Sequence, residues 1–238
     1  SKRVAIVVPA FNEEKNLVKV LKEIEKHCVD CDVIVVNDGS TDGTMKIASK
    51  IAEENKKIML LSHPFNIGGG AAVQTGVKLA YLKGYDYVVQ VDADGQHDPS
   101  EIRKLLMPLY NDEADLIIGS RFLENVNYKT SYTRLLGIKF YSKIASMLIK
   151  QRITDINSGF KAMNKKIIAH IAEDYPSRHP AFEATVKIGR KGFRIKEVPV
   201  HMKQRKYGKS EFTIKRLILY PLKTFLSLIK ALWISRSL

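Results

Sequence analysis

The chain has 238 residues and a mass of 26.9 kDa, with 45% hydrophobic and 27% charged residues. That is the balance of one globular domain with a substantial core, and it excludes a disordered, collagenous or disulfide-stapled chain. The formal charge of +14 is concentrated at one end, where residues 190–238 hold 13 Lys or Arg against only Glu197 and Glu211, so the basic segment suggests an anionic partner: a nucleic acid, an acidic membrane surface or a phosphorylated substrate.

Strand and helix patterns alternate through the first hundred residues. Val4–Val8 is a continuous β-branched run, as expected of a parallel strand covered on both faces. Asn12 is placed to cap the next helix, in which Leu17, Val20, Leu21 and Ile24 recur at helical spacing. Val33–Val36 reads as a second strand, and Thr41 or Asp42 as the cap of a helix through Met45, Ile47 and Ile51. Ile58–Leu61 is a third strand, Gly68–Gly70 opens a third helix, Tyr87–Val91 is a fourth strand and Leu116–Ile118 a fifth. Repeated βαβ units predict an α/β fold, with a mostly parallel sheet flanked by helices on both faces. Beyond Arg121, residues 122–133 read as a polar loop, Leu135–Ile149 as a helix and Ile153–Phe160 as a turn. Ile167–Ala172 and Phe182–Ile188 follow as helices, and Ile195–Val200 as a strand.

In an open parallel sheet, ligands gather beyond the carboxyl ends of the strands. Three predicted strands end there in chemistry-bearing residues: Pro9-Ala10-Phe11-Asn12-Glu13, Asn37-Asp38-Gly39-Ser40 and Asp92-Ala93-Asp94-Gly95-Gln96. Asp92 and Asp94 can splay around one hard divalent cation with Gln96 as a further oxygen donor, leaving positions for water and phosphate; alternatively they cap a helix starting near Pro99. Asp38 is either an acceptor for a ribose or base N–H or a turn residue, and Glu13 either a ligand contact or a first-turn helix acid. No GxxxxGK[ST] loop is present, and no GxGxxG follows the first strand, which disfavours P-loop and dinucleotide-binding folds. Cys28 and Cys31 lie in a helix-to-strand connection without a thioredoxin-like context, and with no second pair they suggest a reducing compartment.

The runs PAFNEE at 9–14, VVNDGSTDGT at 35–44, NIGGGAA at 66–72, DADGQH at 92–97, GSR at 119–121 and DINSGFKAM at 155–163 resemble glycosyltransferase family 2, and more narrowly its dolichol-phosphate mannose synthase-like branch. The resemblance implies a GT-A fold, an inverting mechanism, Mg2+ or Mn2+, a UDP- or GDP-linked sugar donor and a polyprenyl phosphate acceptor. Carried over by motif, Pro9, Phe11, Glu13, Val36 and Asp38, with Asp92 and Ala93, would contact the nucleotide. Asp92, Asp94 and Gln96 would hold the metal, and Arg121 and Arg205 would face the donor and acceptor phosphates. Asp155 and Ser158-Gly159-Phe160 would flank sugar and acceptor, although the same residues also read as an ordinary turn. Glu183 reads as structural, and His97 as no ligand. The family's lysine after Gly-x-Ser is here Glu211. A saccharide or other soluble acceptor, or a non-catalytic nucleotide-sugar-binding module, stands as the alternative. Nucleic acid is not expected as a partner, because the basic residues lack interleaved aromatics or an RNA-binding motif.

The expected division is a catalytic domain at 1–211 and basic amphipathic membrane-interface helices at 212–238. On a helical wheel Lys215, Arg216, Lys223 and Lys230 share one arc, opposed by Leu217, Ile218, Leu222, Phe225, Leu228, Ile229 and Leu232; Leu226 and Trp233 fall on the cationic side, Pro221 splits the stretch into two helices, and packing on the protein's own core is the alternative. With no membrane span and no leader pattern read from the sequence, the expected location is the cytoplasmic face of a membrane, held peripherally, or the cytoplasm. The 122–133 loop, with Tyr128 and Tyr132, is the expected acceptor gate.

Overall fold

The computed structural model describes residues 2–123, 132–175 and 180–203. In chain order the elements are β1 (Val4–Ala10), α1 (Leu17–His27), β2 (Asp32–Asp38), α2 (Thr44–Glu54), β3 (Ile58–His63), α3 (Gly69–Leu82) and β4 (Tyr87–Gln90). They continue as α4 (Ile102–Tyr110), β5 (Leu116–Ser120), α5 (Tyr132–Ile149), β6 (Lys161–Asn164), α6 (Lys165–Glu173), α7 (Pro180–Arg190) and β7 (Ile195–Pro199). Seven strands form one sheet in the order β3-β2-β1-β4-β6-β5-β7. All pairs are parallel except those of β6, which runs antiparallel between β4 and β5.

Both faces of the sheet are apolar, which is why its strands read as continuous hydrophobic runs. Alternate residues serve different layers. Ile6, Val8, Val33 and Val35 pack with α1, α2 and α4, whereas Ala5, Val7, Ile34 and Val36 pack with α3, α5, α6 and α7.

The structure departs from the sequence-based expectations in four places, the first being that α5 begins at Tyr132, inside the loop expected at 122–133. Lys161–Asn164, which lies between the turn expected at Ile153–Phe160 and the helix expected at Ile167–Ala172, is strand β6; its KAMN sequence has no β-branched residue, so only its pairing with β4 and β5 reveals it. Helix α4, absent from the chain reading, follows a short 3-10 turn whose cap is Asp98, so neither Asp92 nor Asp94 caps a helix near Pro99. Asn12 is not the cap of α1. It lies at φ 55, and its side chain accepts from the Thr41 amide (2.8 Å), while Asn16 takes the cap position. Asp42 does accept the Thr44 amide at the start of α2 (2.9 Å).

The mixed half of the sheet is stitched at its edge by Asp115. Its buried carboxylate accepts from the Arg194 amide (2.9 Å), the Arg194 guanidinium (3.2 Å) and Asn164 Nδ2 (2.9 Å), joining the starts of β5 and β7 to the end of β6. Burial opposes its ionisation, but the hydrogen bonds from Arg194 and Asn164 outweigh it and hold the carboxyl below the usual aspartate range. Its stabilisation is therefore complete above the unfolded-state aspartate pKa and is lost as pH falls through the lower folded value. Asp115→Ala should cost about 2 kcal/mol in urea unfolding at neutral pH, and the difference from the parent should shrink in strongly acidic buffer.

Candidate active site

The strand order reverses at β1, which leads to β2 on one side and has β4 on the other. The carboxyl ends of β1 and β4 therefore flank a topological switch point, where an open α/β sheet leaves a crevice. Pro9 and Val36 are register partners there, and Val91 donates its amide to the Val7 carbonyl (3.0 Å), which brings the Asp92-Ala93-Asp94 run alongside. The three strand ends singled out in the sequence thus meet at one edge.

On the β1–β2 side, Phe11 is partly exposed while Val36 is fully buried. The Glu13 amide donates to Thr44 Oγ1 (2.8 Å), and the Glu13 carboxylate accepts from Asn16 Nδ2 (2.7 Å). Asp38 is only 2% exposed, and its carboxylate accepts the Ile67 amide (3.0 Å), the Gly68 amide (2.8 Å) and His63 Nδ1 (2.7 Å). In a neutral His63 ring the proton therefore sits on Nδ1, and Nε2 accepts from Thr75 Oγ1 (2.9 Å). Asp38 thus fastens the 64–68 loop, which crosses so near Gly39 (φ +64) that a Cβ there would lie 2.2 Å from the Phe65 carbonyl carbon.

At the end of β4 the Asp92 carboxylate accepts from Gln90 Nε2 (3.0 Å) and has His97 Nε2 at 3.6 Å. His97 Nδ1 accepts the Asp92 amide (3.0 Å), so in the neutral ring the proton is on Nε2, facing that carboxylate. The imidazole is buried and stacked on Phe160, with centroids 4.8 Å apart. Gly159 is required here, because a Cβ would fall 2.6 Å from Asp92 Oδ2. Asp94 Oδ1 accepts the Gln96 amide (2.9 Å) across Gly95, which has φ +75.

Beyond β5 the Arg121 guanidinium donates to both oxygens of Asp155, Nε at 2.6 Å and NH2 at 2.7 Å, and its amide adds a third bond at 3.1 Å. Both side chains are buried. The Asp155 loop is held by Glu197 of β7, which accepts from the Asp155 amide (2.8 Å), the Thr154 amide (2.8 Å) and Thr154 Oγ1 (2.8 Å). Burial raises the Glu197 carboxyl above its usual range, partly offset by those donors. Lys161, at the start of β6, is buried and donates to Thr185 Oγ1 of α7 (3.1 Å). Burial pushes its ammonium down to about 8 against the pull of Asp155 and Asp92. Burial, reinforced by the charge of Asp92, also pushes up the Tyr175 hydroxyl.

The residues brought together at this edge are thus Pro9, Phe11, Glu13, Val36, Asp38, Asp92, Ala93, Asp94, Gln96 and Arg121. Arg205, Tyr128 and residues 212–238 lie outside the described residues, as does the side chain of Tyr132. Reading the sequence overlooked His63, Gln90, Lys161 and Glu197 and set His97 aside. Lys161 stands in the 155–163 run and His97 in the 92–97 run, which were the usable signal, whereas His63, Gln90 and Glu197 stand in none of the quoted runs. Cys28 and Cys31 are free thiols with their sulfurs 2.8 Å apart at the α1–β2 connection.

Asp92, Asp94 and Gln96 offer oxygen donors, the set that suits Mg2+ or Mn2+. Among the described residues no three His, Cys, Asp or Glu side chains gather as a closed metal cage. The fit is therefore to an ion completed by water and substrate oxygens.

A mixed sheet between two helical layers, with an acidic strand end at its switch point, is the architecture of nucleotide-sugar-dependent transferases, and the comparisons agree. Residues 5–172 match Glycosyl transferase family 2, and the chain belongs to that family. It is 32% identical over 227 residues to a UDP-N-acetylglucosamine–dolichyl-phosphate N-acetylglucosaminyltransferase of Methanococcus voltae, covering 89% of this chain and 90% of that one. An undecaprenyl-phosphate mannosyltransferase of Micrococcus luteus is also 32% identical, over 89% of this chain and 88% of its own. Among solved structures, glucosyl-3-phosphoglycerate synthase from Mycobacterium tuberculosis, in complex with Mn2+, UDP and glucosyl-3-phosphoglycerate, superimposes with a TM-score of 0.68 at 17% identity, covering 97% of this chain and 80% of that one. S. aureus TarS 1–349 gives a TM-score of 0.59 at 18% identity over 84% of this chain, which spans only 59% of its length. The chain is a glycosyltransferase with the GT-A fold.

Removing Asp155 would leave a buried guanidinium without its counter-charge. Asp155→Ala should cost about 3–5 kcal/mol in denaturant unfolding, whereas Asp94→Ala, at the crevice, should change stability by about 1 kcal/mol or less.

Proposed function

We propose that this enzyme transfers a hexose or N-acetylhexosamine, with inversion and with the help of Mg2+ or Mn2+, from a UDP- or GDP-linked sugar to a polyprenyl phosphate at a membrane surface. The observation that carries the reading is the convergence of Asp92 and Asp94 on the switch point of a family 2 domain, beside a strand end that carries Arg121. Two relatives matched over nearly their full lengths support the acceptor class, since both are named for transfer to a lipid phosphate.

Asp92, Asp94 and Gln96 would hold the metal, which when bound neutralises charge on the departing diphosphate. Gln90 donates to the Asp92 carboxylate and His97 faces it, so both would position Asp92 for that role. Pro9, Phe11 and Glu13 form the nucleoside wall, with the buried Val36 and Ala93 packed behind it, and Asp38 serves it by fastening the 64–68 loop. Arg121 spends its Nε–NH2 fork on Asp155, so its part at the phosphates would be that of a fixed positive charge, while Arg205 would supply a guanidinium fork, which suits oxyanions bidentately. A phosphate oxygen of the acceptor attacks the anomeric carbon as the bond to the diphosphate oxygen on the opposite face breaks. The attacking phosphate is already an anion at neutral pH, so no strong general base is required. The basic segment 212–238 lies on the membrane surface, making the protein peripheral.

Purified protein should move label from a UDP- or GDP-sugar into the organic phase when supplied with polyprenyl phosphate and Mn2+, and EDTA should abolish the transfer. Asp94→Ala should lower turnover at least about a hundredfold with an unchanged far-ultraviolet circular dichroism spectrum. Full activity of that variant would overturn the metal assignment, and label confined to the aqueous phase would move the acceptor to a soluble compound.

A further inference from the structure

Helix α5 has an unusual distribution of apolar residues. Its inner side buries Tyr141, Ala145 and Ile149 against the α3, α6 and α7 layer, and Ile138 is buried as well. Its outer side is not the polar face expected of a surface helix. Leu136, Phe140 and Met147 project there, 49%, 60% and 65% exposed. No other described element leaves three large hydrophobic side chains in the open. The exposed residues at 136, 140, 143 and 147 are spaced by four, three and four, so they line one stripe along the helix, and exposed Lys150 follows just past its C-terminal end. Lys143 interleaves with the apolar members, and exposed Lys139 lies one turn from Lys143.

The charge pattern narrows the partner. From 132 to 152 the chain carries five Lys or Arg and no Asp or Glu. An anionic surface is therefore complementary. Leu, Phe and Met side chains would add nothing to a purely electrostatic contact with a polyanion in water. Basic side chains flanking large apolar ones are what a helix lying in the headgroup region of a bilayer requires: the apolar groups enter the acyl boundary and the lysines reach anionic headgroups. No helix among the described residues is long and apolar enough to cross a membrane, so α5 would lie on the bilayer.

We propose that the outer face of α5 is a membrane-docking surface for an anionic lipid bilayer, distinct from the basic segment at 212–238. It rests on the lipid-acceptor reading for its purpose but not for its test. Its connection to the chemistry is short. Ser142 Oγ of α5 donates to the Thr154 carbonyl (3.0 Å) and accepts the Ile156 amide (3.3 Å), and Ser146 Oγ accepts the Ile153 amide (2.9 Å). The helix seated on lipid thus grips the loop that carries Asp155, the partner of Arg121. Docking would fix the height of that loop above the headgroups, where a lipid phosphate resides.

The test compares the full chain with the double variant F140S/M147S. Sedimentation is measured with vesicles of phosphatidylcholine, with and without phosphatidylglycerol, and transfer with a long-chain polyprenyl phosphate in those vesicles and with a short, water-soluble one. The variant should bind anionic vesicles about tenfold more weakly and lose transfer to the embedded acceptor in proportion. Its melting temperature and its transfer to the soluble acceptor should match the parent. A direct reading comes from F140W in a W233F background, because Trp233 is the chain's single tryptophan. Its emission should be quenched by brominated lipids. Unchanged vesicle binding by F140S/M147S, or an indole that brominated lipids leave unquenched, would overturn the proposal. Quenching without transfer to either phosphate would uphold the surface and refute the acceptor instead.

Discussion

The ion pair between Arg121 and Asp155 is the contact on which the second half of the molecule depends. A guanidinium this deeply buried is tolerable only with a carboxylate in its plane, and Asp155 supplies two parallel hydrogen bonds to it. Asp155 in turn is placed by a loop whose amides donate to Glu197 and whose far side is gripped by Ser142 and Ser146. One pair therefore couples the ends of β5 and β7, helix α5 and the segment leading into β6. Buried pairs of this kind are better suited to holding one geometry than to adding stability, and here the geometry is the orientation of a cation at the crevice.

The antiparallel strand β6 has an equally direct consequence. Its insertion between β4 and β5 carries Gly159, Phe160 and Lys161 to the carboxyl end of β4, against Asp92. Phe160 forms the floor on which His97 stacks, Gly159 leaves room for the Asp92 carboxylate, and Lys161 adds a buried positive charge between Asp92 and Asp155. The acidic strand end is consequently packed from below, while the Asp92 side chain keeps 36% of its surface exposed.

The β1–β2 side follows a different logic. There the loops after β1 and β2 are tied together by short polar side chains: Ser40 accepts the Asn12 amide (3.0 Å), and Glu14 accepts the Gly43 amide (2.7 Å). Asp38, a motif residue expected at the ligand, devotes its carboxylate to the protein's own loop and to His63.

The βαβ succession, the two apolar faces and the acidic strand ends were legible in the sequence, because hydrophobic period and turn chemistry are local properties. So was the clustering of those strand ends, which follows from parallel topology alone. Strand β6 was not, since a four-residue KAMN segment has no β preference and acquires its conformation only from the two strands that hydrogen-bond to it. Nor were the partners of Arg121, Asp92 and Asp38 visible, because Asp155, His97 and His63 reach them through folding. Which charge neutralises which buried charge is decided by distance and desolvation in the folded chain. Those quantities exist only once the tertiary structure has brought remote segments together and removed the water between them.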